Sequence, residues 1–284
     1  MAQTRDRSEP GRGSAYVLGH SAAELRRLKN QAREIDPISR RFLAEAGVMA
    51  GMRVLDVGTG AGDTALLLAD VVGSDGEVVG FDRSAVAIEA ARAKAAERSL
   101  HNVTFLEGTA GELSFDTPFD AVFGRYVLQF QADPAALLAA AAAHGKPGGL
   151  VVFHELDWSG ARSVPPAPTY DRLSTWAIAT VERSGADAHM GLQLPRVFAA
   201  AGLPEPELRL DGLIVAGERV REVLELKANL AETLAPAMVD FGIATPEQLG
   251  LDTLVERLVS EASANGSVII SRFEVGAWAR LAGT

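Results

Sequence analysis

The chain has 284 residues, a formal net charge of −10, 48% hydrophobic and 23% charged residues, and no cysteine. That composition excludes a disordered chain, and the length suffices for a large core. The acidic balance argues against nucleic-acid phosphates and anionic membrane surfaces as partners, and the missing thiols exclude a disulfide framework and a thiolate metal site.

Residues 1–14, rich in Arg, Ser and Gly, read as a loose arm without the apolar segment of a signal peptide. No apolar run reaches the roughly 18 residues of a membrane span, and with no cysteine for disulfides the expected compartment is the cytoplasm. Residues 22–33 have helical spacing, with Ser21 as N-cap and Glu24 completing a capping box, and a second helix is expected over 37–46. His20 reads as a loop residue. The apolar run of Val54, Leu55 and Val57 reads as a buried parallel strand, which breaks into Gly58, Gly60 and Gly62 before the helical pattern of 63–72. Strand, glycine turn and helix make a nucleotide cradle: glycine tolerates positive φ, lets a ligand lie on the backbone, and leaves the free N–H groups of the helix start facing it. Asp56 and Asp63 bracket the turn. These carboxylates disfavour a diphosphate and suit a ligand carrying ammonium and sulfonium groups. The spacing also departs from the dinucleotide fingerprint G-x-G-x-x-G, because Asp63 stands where the third glycine should be.

With these residues, V-L-D-V-G-T-G-A-G at 54–62 resembles the class I S-adenosylmethionine (SAM) dependent methyltransferases, most closely the small-molecule branch that includes ubiquinone and menaquinone C-methyltransferases and natural-product enzymes. The glycine turn alone would also suit a generic tight turn or a dinucleotide loop; the downstream pattern carries the resemblance, which covers residues 16–278 and is strongest over 52–155. It implies an α/β fold: a Rossmann-like, doubly wound seven-stranded sheet, mostly parallel with an antiparallel edge strand, plus a helical cap and lid. The cofactor it implies is SAM. It also implies that Tyr16 and Gln31 of the cap reach the methionine end, the alternatives being packing for Tyr16 and solvent exposure for Gln31.

Residues 77–81 form the second expected strand, ending in Asp82, 26 residues after Asp56. Two acids thus stand at the carboxyl ends of neighbouring strands, where doubly wound sheets bind ligands, and Asp82 can accept both ribose hydroxyls. Ser84 is the better N-cap for the helix 85–98. Arg83 would border the adenine. After the third strand, 103–106, the resemblance implies an Asp on the adenine; here that position is Thr109, whose hydroxyl can still accept a hydrogen bond, with Ala110 serving through its backbone. The fourth strand, 119–123, continues as G-R-Y-V-L-Q, where the resemblance puts a carbonyl near Arg125 on the SAM ammonium; the alternative for Arg125 is pairing with an acid. Thr59 and the three glycines complete the cofactor set.

The alanine-rich helix 134–144 covers the sheet and leaves His144 exposed at its end. K-P-G-G at 146–149 turns into the fifth strand, 150–153, which is expected to stop at H-E-L-D-W. At that strand end Glu155 and His154 are candidate general bases, with Asp157 behind them; the alternative is structural pairing or capping. Residues 164–168 form a stiff linker to a helix at 170–183, whose Trp176 reads as core. The stretch 184–194 resembles the family's segment beside the substrate, which makes His189 a further candidate. Strands are expected at 208–215 and 267–278. The helical insert between them, about 218–264, reads as a lid with apolar contacts from Met238 and Phe241, or else as added core or the interface of a homo-oligomer.

The expected organisation is an arm (1–14), a helical cap (15–50), a SAM-binding core (51–160) and a substrate-side half (161–284). The expected reaction moves the sulfonium methyl in line to an oxygen, nitrogen or carbon nucleophile of a small molecule, a secondary metabolite or quinone-like acceptor, without a metal. A NAD-dependent oxidoreductase is disfavoured by Asp63, the K-P-G-G turn and the lack of a second catalytic motif. A SAM-binding cyclase or sensor that transfers no methyl is the other reading.

Overall fold

A computed structural model describes residues 35–283; the expectations for the arm, the 22–33 helix, Tyr16, His20 and Gln31 lie outside them. Residues 35–46 are helical (α1), and β1 (Arg53–Val57), α2 (Asp63–Val72), β2 (Glu77–Asp82), α3 (Ala85–Glu97), β3 (Val103–Glu107), β4 (Phe119–Arg125), α4 (Pro134–Ala142) and β5 (Gly145–Asp157) follow. The second half contains β6 (Arg162–Val164), α5 (Pro168–Arg183), α6 (Met190–Ala200), β7 (Glu207–Val215), α7 (Val220–Asp240), α8 (Pro246–Leu249), α9 (Leu254–Asn265) and β8 (Val268–Arg280).

The sheet runs β3-β2-β1-β4-β5-β8-β7, parallel from β3 to β5. Strand β8 is antiparallel to both neighbours, so the expected antiparallel pair forms the sheet edge, with β8 inside and β7 outermost. An eighth, short strand, β6, was not expected; it continues the β5 side of β8. Val54, Leu55 and Val57 of β1 are fully buried although they point to both faces of the sheet, because both faces are covered. Leu66, Ile88 and Ala91 of α2 and α3 pack on one face with Leu43 of α1. Leu138, Leu194 and Phe198 of α4 and α6 pack on the other. A third cluster joins Tyr170, Leu224, Leu234 and Leu258 of α5, α7 and α9 over the antiparallel end.

Strand β5 does not stop at Phe153: β8 pairs with it from Leu150 to Asp157, which holds four more residues extended and puts His154 and Glu155 on opposite faces of a continuing strand. His144 is half-buried rather than exposed, because its Nε2 donates to the Ala110 carbonyl at 2.8 Å and its ring meets Phe115 edge-on.

Helix α1 lies across the carboxyl ends of β4 and β5. Its buried residues Ile35, Ile38, Ser39, Phe42, Leu43 and Ala46 follow helical spacing. The Phe42 ring occupies the space a side chain at Gly276 would need, 2.6 Å from the position of its missing Cβ.

Candidate active site

All three loop glycines have positive φ, 63° at Gly58, 52° at Gly60 and 84° at Gly62, but for different reasons. A Cβ on Gly58 would meet Val127 Cγ2 at 2.6 Å, and one on Gly62 would meet Ala91 Cβ at 2.8 Å, so these two serve close packing. Gly60 would meet nothing within 4 Å. The space beside its Cα is open.

The acids around the turn divide in the same way. Asp56 is buried; its Oδ2 accepts the Thr59 hydroxyl at 2.6 Å, while Oδ1 has no partner among the described residues. Burial pushes its carboxyl up to about 7 in spite of the Thr59 bond. Asp82 accepts the Gly60 amide at 3.0 Å and the Ser84 amide at 2.9 Å, one on each oxygen, which ties the glycine turn to β2 and leaves lone pairs for further donors. Asp63 departs from expectation: Lys94 Nζ lies 2.7 Å from its Oδ1, so its charge is neutralised within the protein. Thr109 is exposed at the end of β3 and donates its hydroxyl to Glu112, and Ala110 beside it is buried. Arg83 is exposed on the same rim. Arg125 pairs with Asp36 at 2.8 Å and donates to Ser39 Oγ at 3.0 Å, which fastens α1 to β4.

Beyond Arg125 a buried polar chain continues across the sheet end. Ser39 Oγ is 3.0 Å from His154 Nδ1, and His154 Nε2 is 3.0 Å from Glu274 Oε2. Tyr126 donates its hydroxyl to the same oxygen at 2.6 Å, from a backbone at φ 57°, unusual for so bulky a residue. Arg272 Nε stands 3.2 Å from Glu274 Oε1. Burial pushes His154 down, toward the neutral imidazole. Burial would raise Glu274, yet Arg272, His154 and Tyr126 outweigh it and hold the carboxyl below its ordinary value. His154 is fully buried with both nitrogens engaged.

Glu155 is also fully buried, on the other face. Its Oε1 accepts the amides of Val127 at 2.9 Å and Leu128 at 2.7 Å, anchoring the turn after β4. Burial pushes it up to about 8 against those bonds. His189 precedes α6, with Nδ1 3.5 Å from Asp157 Oδ1 and its side chain 37% exposed.

An open cavity lies between α1, α7 and β8, with Ile38, Trp158, Lys227, Leu230, Arg272 and Glu274 among its walls. The expected bases Glu155, His154 and His189 do not line it. Helix α7 reaches the cavity as the lid reading requires, but through Val223, Leu226, Lys227 and Leu230; Met238 is fully buried in the core instead. Sequence reasoning missed Lys227, although it interrupts the apolar stripe of Val220, Val223, Leu224, Ala228 and Ala231. It also missed Arg272 and Glu274, two charges on one face of an interior strand.

Residues 49–202 match the family model described as "Methyltransferase domain". The chain belongs to this methyltransferase family. Among curated relatives of this methyltransferase, demethylmenaquinone methyltransferase of Staphylococcus aureus (strain MRSA252) is 36% identical over 135 residues, 47% of this chain and 53% of the relative. The enzyme of the same name from Geobacillus stearothermophilus is 30% identical over 180 residues, 57% of this chain and 75% of the relative. The match thus spans about half the length of the first relative. Among solved structures, Haemonchus contortus phosphoethanolamine N-methyltransferase 2, in complex with phosphomonomethylethanolamine and S-adenosylhomocysteine, superposes with a TM-score of 0.52 at 20% identity, covering 90% of this chain and 53% of that one. That likeness is one of fold. The family is that of class I SAM-dependent methyltransferases, and SAM is its cofactor.

Proposed function

We propose that the protein transfers a methyl group from SAM to a small organic molecule held in the cavity between α1, α7 and β8. The observation that carries this reading is the glycine turn, with open space beside Gly60 and with Asp56 and Asp82 at the ends of adjacent strands β1 and β2. The buried oxygen of Asp56 that has no partner fits a cationic ligand, since a nearby positive charge would restore its ionised form. In this reading Gly58, Thr59, Gly60 and Gly62 shape the cradle, Asp82 accepts ribose hydroxyls, Thr109, Ala110 and Arg83 border the adenine, and Arg125 fixes α1 above the site. Tyr16 and Gln31 belong to the same proposal as contacts at the methionine end. SAM supplies an already activated sulfonium methyl.

The protein's own contribution is then alignment of the acceptor and exclusion of water, which can supply several kcal/mol of effective molarity. His154, neutral and bonded on both sides, holds Glu274 at the cavity wall, and Glu155 holds the turn that carries Tyr126. The sequence-based roles of His154 and Glu155 as bases give way to positioning roles, because neither faces the cavity. Mainly apolar walls with a few converging charged groups suit a small organic molecule. Among the described residues no cluster of His, Asp and Glu could hold a metal, and no helix is long and apolar enough to cross a membrane.

Incubation with methyl-labelled SAM and a bacterial small-molecule extract tests the reading. Label should appear in low-molecular-mass organic products together with S-adenosylhomocysteine. Binding of SAM with no S-adenosylhomocysteine formed would favour the cyclase or sensor reading instead.

A further inference from the structure

The cavity contains a cation that no described residue answers. Arg272 and Glu274 offset each other at 3.2 Å. Lys227 is 7% exposed, lines the cavity, and its Nζ has no hydrogen-bond partner among the described residues. Its ammonium lies over two aromatic rings, 4.6 Å from the centroid of Trp158 and 5.1 Å from that of Tyr170. Cation–π contact replaces only part of an ammonium's hydration. The acids nearby are committed elsewhere: Asp171 of α5 accepts from Ser163 N and Oγ at 2.9 and 2.8 Å, and Glu274 of β8 is held by His154, Tyr126 and Arg272. The indole Nε1 of Trp158 is likewise buried without an acceptor.

We propose that Lys227 is the anion anchor of the acceptor site, and that the acceptor is a flat, mainly apolar molecule carrying a single negatively charged oxygen group. The inference rests on the methyltransferase reading for the word acceptor. One charge follows from the count, since Lys227 is the cation left over once Arg272 and Glu274 cancel. Flatness and low polarity follow from the walls, which combine the rings of Trp158 and Tyr170 with Ile35, Ile38, Leu213 and Leu230. The anion docks on Lys227 Nζ, with the Trp158 N–H as a second donor. Burial and Arg272 push Lys227 down to about 7, with Asp171 opposing them, so an anion arriving at pH 8 draws a proton back onto the lysine.

The probes are benzoate, 2-naphthoate and indole-3-acetate, each beside its neutral amide, titrated calorimetrically into the full chain saturated with S-adenosylhomocysteine. At least one carboxylate should bind, at least about tenfold more tightly than its amide, the scale of a charge-assisted bond. Lys227→Met should abolish that preference while S-adenosylhomocysteine still binds. Independently of any variant, titrations in buffers of different ionisation enthalpy should show wild-type protein taking up nearly one proton per carboxylate at pH 8 and little at pH 6. The proposal is overturned by equal affinity for acid and amide, by a preference that survives in Lys227→Met, by absence of proton uptake, or by failure of all three carboxylates to bind. Protein that binds S-adenosylhomocysteine but no carboxylate keeps the methyltransferase reading and loses this one; the converse keeps the anion site and loses the methyltransferase reading.

Discussion

Lys227 and Glu155 are buried where their charged forms are poorly solvated, and each makes stability depend on pH in its own direction. Lys227 sits at about 7 when folded against 10.5 ordinarily, so between those values the unfolded chain binds the extra proton and stability rises with pH. Below pH 7 the full penalty of the buried ammonium is present. Lys227→Met removes it: the variant should melt above wild type at pH 6, and the difference should shrink toward nothing by pH 10 in scanning calorimetry. A difference constant with pH would contradict the burial argument. Glu155 behaves oppositely. Its carboxyl sits at about 8 against 4.5 ordinarily, so the folded chain holds the extra proton, and stability falls as pH rises from about 4.5 to 8. Glu155→Gln keeps an oxygen for the amides of Val127 and Leu128, so its advantage over wild type should grow between pH 5 and 9 while methyl transfer stays within about threefold. Loss of about 10²–10⁴ in rate without loss of stability would instead make Glu155 the general base.

Between β1 and α2, neighbouring glycines should give opposite phenotypes. Gly60→Ala places a methyl in open space, costs about 1 kcal/mol for a left-handed alanine, and intrudes on the ligand; S-adenosylhomocysteine affinity should fall by more than tenfold with little change in melting temperature. Gly62→Ala drives a methyl into Ala91 and Phe105 of the core and should lower the melting temperature by far more. Reversed phenotypes would show that the ligand lies elsewhere. This half of the molecule was legible in the sequence because local chemistry decides it: continuous apolar strands, glycines at positive φ, and Ser84 accepting from Ala87 as N-cap of α3. The cavity half was not, since its geometry depends on long-range pairing. Strand β5 outruns its apolar stretch only because β8, over a hundred residues later, pairs with it. His154 becomes inaccessible only because α1 folds over it. Asp63 looked like a ligand carboxylate until Lys94 of α3 met it, which no spacing within α2 announces.

At the scale of the whole molecule, the doubly wound sheet separates two tasks. Its parallel half presents the glycine turn and two carboxylates at the ends of β1 and β2, while the antiparallel end and α7 enclose a cavity with an unanswered lysine. Between them runs the buried chain from Asp36 through Arg125, Ser39 and His154 to Glu274, which ties α1 to both halves. On this reading, the glycine turn holds an adenosyl sulfur donor and rejects a dinucleotide. Isothermal titration of the purified chain with S-adenosylhomocysteine, and separately with NADH, tests it most directly. Saturable binding of the first with no heat from the second is the predicted result; binding of NADH with none of S-adenosylhomocysteine would contradict it.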